Sequence, residues 1–160
     1  MRRLGDNTGS EMHQFLPFAW FRGECVPFEQ ANVSIATHAL HYGTGAFGGM
    51  RAIPDPNDRS NILLFRADRH AKRLRQSAKL LLTDLKEETV MEALIKMLRA
   101  NKPSSPIYLR PFVYTSDLGI APRLHDIETD FLIYGIELGD YLSPDGVTCR
   151  FSSWTRQEDR

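Results

Sequence analysis

Thr37-His38-Ala39-Leu40-His41-Tyr42-Gly43-Thr44-Gly45-Ala46-Phe47-Gly48-Gly49-Met50-Arg51 sets glycines 43, 45, 48 and 49 among aromatic and cationic side chains. Glycine carries backbone through positive φ or lets it approach a ligand closely, at an entropic cost. The stretch therefore suits a ligand-facing loop or a tight turn between strands. Gly43 to Gly48 also satisfies GxGxxG, which in a dinucleotide fold ends a buried strand and opens a long helix. Neither flank supplies that context. His38 to His41 is no buried apolar run, and Pro54 and Pro56 forbid a long helix downstream. A P-loop is excluded too, because no Lys-Ser/Thr pair follows Gly48.

Working outward, Phe18 to Arg22, Gly23-Glu24 and Cys25 to Phe28 form a hairpin pattern, with Pro27 tolerable near a sheet edge. Residues 1–14 are polar and aperiodic and are expected to be a disordered tail. Met50 to Ile53 and Ile62 to Phe65 have strand character. Asp68 is positioned to cap a helix burying His70, Leu74, Ala78 and Leu81. Asp84 and Glu87 have N-cap and N3 spacing for a second helix, which buries Val90, Leu94 and Met97 and stops before Pro103. Ile107 to Thr115 and Asp130 to Leu138 are strands, joined by a loop over Asp117 to His125, and Val147 to Trp154 suggests one more. Strands, two helices, then strands, without βαβ alternation, predict an α+β fold with a mostly antiparallel sheet.

The 160 residues, 42% hydrophobic, suffice for one ordinary core. Twenty basic and twenty acidic residues cancel, so no overall charge draws the chain to nucleic acid or to a membrane. Cys25 and Cys149 make neither a disulfide framework nor a zinc pattern, which fits a cytoplasmic protein. No signal peptide or spanning segment is evident.

Three groups of residues carry candidate chemistry. Tyr108 and Arg110, two apart on one strand, share a face with Phe112 and are suited to hold a carboxylate, or form an ordinary wetted sheet face. Arg66, Arg69, Lys72, Arg73, Arg75 and Lys79 crowd one helix, as a phosphate contact or a solvated face. His38 and His41 lack a third ligand of suitable spacing, so no metal site is expected. GxSxG and HExxH are absent.

His38-Ala39-Leu40-His41-Tyr42-Gly43-Thr44, Phe47-x-Gly49-x-Arg51, Phe65-Arg66 with Arg73-Leu74 and Ser77-Ala78-Lys79, and Tyr108-Leu109-Arg110-Pro111 follow one another in this order. Together they resemble a branched-chain amino acid aminotransferase, one of the fold-type IV pyridoxal phosphate enzymes, from about Phe18 to Arg160. The resemblance implies a small N-terminal domain over 15–146 and the truncated start of the large cofactor-binding domain over 147–160. It implies Arg73 as the cofactor-phosphate residue and Tyr108 and Arg110 as substrate-carboxylate contacts. Tyr42, Phe47 and Tyr141 are implied pocket residues. Asp117 to His125 resembles an interdomain lid that reaches a neighbouring subunit, implying a homodimer or higher homo-oligomer. Gly48 stands where many members carry glutamate, and Leu138 where some carry tryptophan.

The family's Schiff-base lysine is implied to lie beyond Arg160, so no catalytic residue is expected within the chain. Lys72, Lys79, Lys86, Lys96 and Lys102 sit on predicted helices or their edges, where a solvated ammonium is protonated and a poor nucleophile. The 160 residues alone are therefore expected to be inactive and to carry no covalently bound pyridoxal 5'-phosphate. In the complete enzyme the implied reaction passes an amino group between leucine, isoleucine or valine and 2-oxoglutarate, with glutamate and 2-oxo acids as the other partners. Two alternatives stand beside it. One is another fold-type IV enzyme, a D-amino acid aminotransferase or aminodeoxychorismate lyase. The other is a non-enzymatic phosphate- or RNA-binding module that uses the basic helix.

Overall fold

The computed structural model describes residues 14–137 and 146–155. The hairpin forms as predicted. β1 (Phe18–Phe21) and β2 (Glu24–Pro27) pair antiparallel around Arg22 and Gly23, both at positive φ, and β2 is an outer strand that tolerates the missing proline N–H. A short helix α1 (His38–Tyr42) precedes the glycines and ends at Gly43 with φ 65°. The chain then runs through β3 (Gly45–Phe47), β4 (Met50–Pro54) and β5 (Ile62–Leu64). Helices α2 (Ala67–Lys79) and α3 (Glu87–Asn101) follow, and the long strands β6 (Ile107–Thr115) and β7 (Thr129–Glu137) complete one seven-stranded sheet of order β2-β1-β7-β6-β4-β5. Every strand pairing is antiparallel, as the sequence predicts for most of the sheet.

β6 is its centre. One edge pairs with β7 from Ile107↔Glu137 to Thr115↔Thr129, while the other is shared between β4, beside Ile107 to Leu109, and β3, beside Phe112 to Tyr114. The handover falls at Gly48 and Gly49, opposite Arg110 and Pro111. It explains how a central strand accommodates a proline. The N–H and C=O of one strand residue point the same way, and the Pro111 carbonyl accepts from Gly48 N–H at 2.9 Å, so the missing donor falls in the gap between β3 and β4.

One sheet face carries the core. Trp20, Met50, Ala52, Leu109, Val113 and Ile133 pack beneath Ala71, Leu74 and Ala78 of α2 and Val90, Leu94 and Met97 of α3. The alternation along β6 selects the faces: Ile107, Leu109, Pro111 and Val113 are buried, whereas Tyr108, Arg110 and Phe112 are half-buried on the other side.

Several predicted details differ. Asp68 does not cap α2. Arg66 takes the N-cap in a left-handed conformation, φ 49°, without a side-chain cap, and Asp68 lies in the first turn, 3.7 Å from both Arg66 and Arg69. The buried stripe is accordingly rotated to Ala67, Ala71, Leu74 and Ala78, leaving His70 and Leu81 half-buried. The Asp84–Glu87 capping box does not form either. α3 starts at Glu87 behind Lys86, and the Glu87 carboxylate instead meets Arg75 at 2.8 Å, joining the two helices. A third helix, α1, joins the two predicted ones. Val147 to Trp154 is no strand; 146–155 runs without helix or strand and is exposed, since a strand needs a ladder partner and among the described residues none is paired with it. The tail expected over 1–14 lies outside the described residues except for Gln14, whose carbonyl accepts from Glu137 N–H.

Candidate active site

On the sheet face away from the helices, β6 presents Tyr108, Arg110 and Phe112 together, as their spacing predicts. Arg110 Nε donates to the Tyr108 hydroxyl at 3.0 Å, and its guanidinium lies 4.4 Å from the Phe47 ring centre and 5.2 Å from that of Tyr108. Two aromatic rings thus fix the cation in place. Among the described residues no carboxylate forms an ion pair with it. Beside it opens a cavity of about 540 Å³ lined by Phe47, Phe112, Leu132, Tyr134, Val33 and Trp20 among others. Phe28 completes one wall, stacked on Phe15 at 4.6 Å. An apolar chamber with one unpaired guanidinium accepts an aliphatic chain and a carboxylate in the same space.

Gly48 and Gly49 form the second half of the site. A Cβ on Gly49 would overlap Tyr108, at 2.8 Å from Cε2 and 2.9 Å from Cζ, so only glycine lets the phenol lie against the backbone there. A Cβ on Gly48 would meet Pro111 Cγ at 3.5 Å and Arg73 Nη2 at 3.7 Å, both ordinary contacts. Arg73 therefore reaches from α2 to the glycine pair that Tyr108 approaches from β6. Of the basic run on α2, Arg66 and Arg69 lean on Asp68 and Arg75 on Glu87, whereas Arg73 has His70 Nδ1 at 3.5 Å and no carboxylate among the described residues. The run is not one continuous basic surface. His70, predicted for the core, instead lines a cavity of about 650 Å³ with Gly49, Arg51, Phe65 and Tyr108. Its sequence signal is its place one helical turn before Arg73.

Tyr42 is not brought to this face. Its hydroxyl donates to the Ile120 carbonyl, its ring lies 4.5 Å from that of His38, and it lines neither cavity. Tyr141 and Leu138 lie outside the described residues. The two histidines of α1 do not converge. His38 is buried, with Nε2 donating to the Ala121 carbonyl at 2.9 Å and Nδ1 near the hydroxyls of Thr44 and Thr115 at 2.9 and 3.0 Å. His41 Nε2 turns to the Ile35 carbonyl at 2.8 Å. Among the described residues no three His, Cys, Asp or Glu side chains gather as metal ligands. His38 and Tyr42 thereby hold the loop over Asp117 to His125, where the sequence places it.

No family model matches the chain. It is 60% identical over 149 residues to a probable branched-chain-amino-acid aminotransferase of Synechocystis sp., covering 93% of this chain and 49% of that protein. A solved branched-chain amino acid aminotransferase of Escherichia coli superposes with a TM-score of 0.73 at 32% identity, covering 81% of this chain and 42% of that one. The branched-chain aminotransferase of the archaeon Thermoproteus uzoniensis, solved with norvaline, gives 0.72 at 30% identity, again covering 81% and 42%. The chain spans about half the length of the curated relatives it matches.

Proposed function

We propose that this chain, in sequence and in fold a relative of the N-terminal part of branched-chain-amino-acid aminotransferases, is the substrate-recognising portion of such an enzyme. Its substrates are leucine, isoleucine or valine, glutamate and the matching 2-oxo acids, its cofactor is pyridoxal 5'-phosphate, and it works as a cytoplasmic homodimer. Among the described residues no helix is long and apolar enough to cross a membrane. The observation that carries the proposal is the Arg110 guanidinium, held by Tyr108 and Phe47 at an apolar cavity and unpaired with any described carboxylate.

The donor set fits the phosphate end of the cofactor. Arg73 carries an uncompensated charge at a backbone stretch without Cβ atoms, and a guanidinium matches phosphate oxygens. When bound, pyridoxal phosphate supplies the carbonyl that exchanges with the amino group and the ring that withdraws electrons from the substrate. The residues of this chain bind and orient. Arg73 holds the phosphate, Tyr108 and Arg110 hold a substrate carboxylate, and Phe47 with Phe112 excludes water from an aliphatic side chain. Tyr141 completes the pocket in this reading, whereas Tyr42 holds the loop over Asp117 to His125. Proton transfer falls to a lysine other than these five, because Lys72, Lys79, Lys86, Lys96 and Lys102 are all exposed on α2, α3 or their flanks, and Lys96 is held by Glu92 at 2.6 Å.

One pocket must accept both glutamate and an apolar amino acid, and Arg110 serves the first. In a polypeptide extended to the length of the relatives, Arg110→Met retains stem bulk and removes the guanidinium. Single-turnover rates should show the glutamate half-reaction losing about 1.5–3 kcal/mol of transition-state stabilisation, and the leucine half-reaction clearly less. Equal losses would assign Arg110 to a shared carboxylate or a structural contact.

A further inference from the structure

We infer that the cleft between the loop entering β5 and the C-terminal half of α3 binds a small organic anion with an aliphatic body. The cleft encloses about 860 Å³, within the range of small-molecule sites. Its rim carries Arg59, Arg99 and Lys102, and its floor Ile62, Leu64, Ile95 and Leu98. No carboxylate lines it, and among the described residues none of the three cations forms an ion pair.

The nearest acid in sequence is turned away. Asp58 accepts from Ser60 N–H at 3.0 Å, Ser60 Oγ at 2.6 Å and Asn61 Nδ2 at 2.8 Å, and the Ser60 bonds hold its carboxyl below the usual range, so the carboxylate is oriented into its own turn and does not line the cleft. A helix C-terminus favours a cation, which suits Arg99 and Lys102 at the end of α3, but Arg59 comes from another element altogether. Three cations over an apolar floor, in a chain of zero net charge, ask for a ligand with both features. A carboxylate satisfies the guanidinium groups, and an aliphatic tail covers the floor. β5 is also an outer strand of the sheet, leaving backbone groups on its free edge. The cleft shares no lining residue with either cavity of the candidate active site, so its ligand is independent of the aminotransferase reading.

Titrating hexanoate into the ¹⁵N-labelled 160-residue chain tests it. Amide shifts at residues 59–64 and 95–102 should saturate together, as a set separate from any shifts at the Arg110 cavity, with acetate and hexanol each binding this cleft at least tenfold more weakly. Arg99→Gln with Lys102→Asn, which keeps a residue tolerant of the left-handed position at 102, should weaken hexanoate at least tenfold, and Arg59→Gln should weaken it in the same direction. The amide spectrum itself reports whether each variant is folded. Hexanol binding as tightly as hexanoate, undiminished binding to the folded double variant, or shifts confined to the Arg110 face would each overturn the site.

Discussion

Gly49 and the Tyr108 ring fit closely in the candidate site, and the fit leads to a paired prediction. Gly49→Ala forces the phenol off the backbone and disturbs the hydrogen bond to Arg110, so it should destabilise by about 1–3 kcal/mol in denaturant titration. Gly48→Ala meets only ordinary contacts and should cost far less. Arg73 gives a second test. In the extended polypeptide Arg73→Ala should weaken binding of the phosphorylated cofactor by about 1.5–3 kcal/mol, measured by equilibrium dialysis. Much of this is legible in the sequence. The glycine density marks 37–51, and period two places Tyr108 and Arg110 on one face. The sequence does not separate Gly49 from Gly48, because the difference lies in which cross-strand side chain each one faces. Tyr42 shows the same limit: its neighbours are fixed by a loop some eighty residues downstream, and its hydroxyl goes to a carbonyl there.

Elements are legible where hydrophobic period is strong and illegible at their ends. β6 and the buried face of α3 lie where alternation and helical spacing put them. The helix starts do not, because both acidic residues suited to capping are displaced by tertiary demands: Asp68 by the left-handed turn at Arg66, and the Glu87 box by Arg75. The Arg75–Glu87 pair is partly exposed, with side chains 40% and 33% accessible, so screening limits its worth. Arg75→Ala should therefore lower stability by about 0.5–1 kcal/mol, less at high salt, while leaving cofactor binding nearly untouched. Equal effects of Arg73→Ala and Arg75→Ala on the cofactor would mean a diffuse basic face. The strand predicted over Val147 to Trp154 does not form because a strand is defined by its partner, which local composition does not reveal.

At the scale of the molecule, the α+β class and the antiparallel sheet follow from element order, but the strand order does not, because β1 finds β7 across nearly the whole chain. At the far end of the central pair, Tyr114 is 3% exposed and donates to Asp130 at 3.1 Å; burial first, and then the Asp130 charge, push its phenol far above the ordinary value of 10.0. The folded state thus keeps this proton where the unfolded state releases it. Its contribution is complete below pH 10 and is lost as pH rises from there, at up to about 1.4 kcal/mol per pH unit. Denaturation midpoints at pH 9 to 11 should fall more steeply for the native chain than for Tyr114→Phe. The pairing of β1 with β7 has a temporal consequence as well. During synthesis the first hairpin leaves the ribosome with one edge unclaimed, and β7 follows only after about 5–20 s of elongation at ordinary rates. Throughout that interval Trp20, Leu74 and Leu94 have no finished sheet to cover them, so the nascent chain exposes this apolar surface until Glu137 emerges.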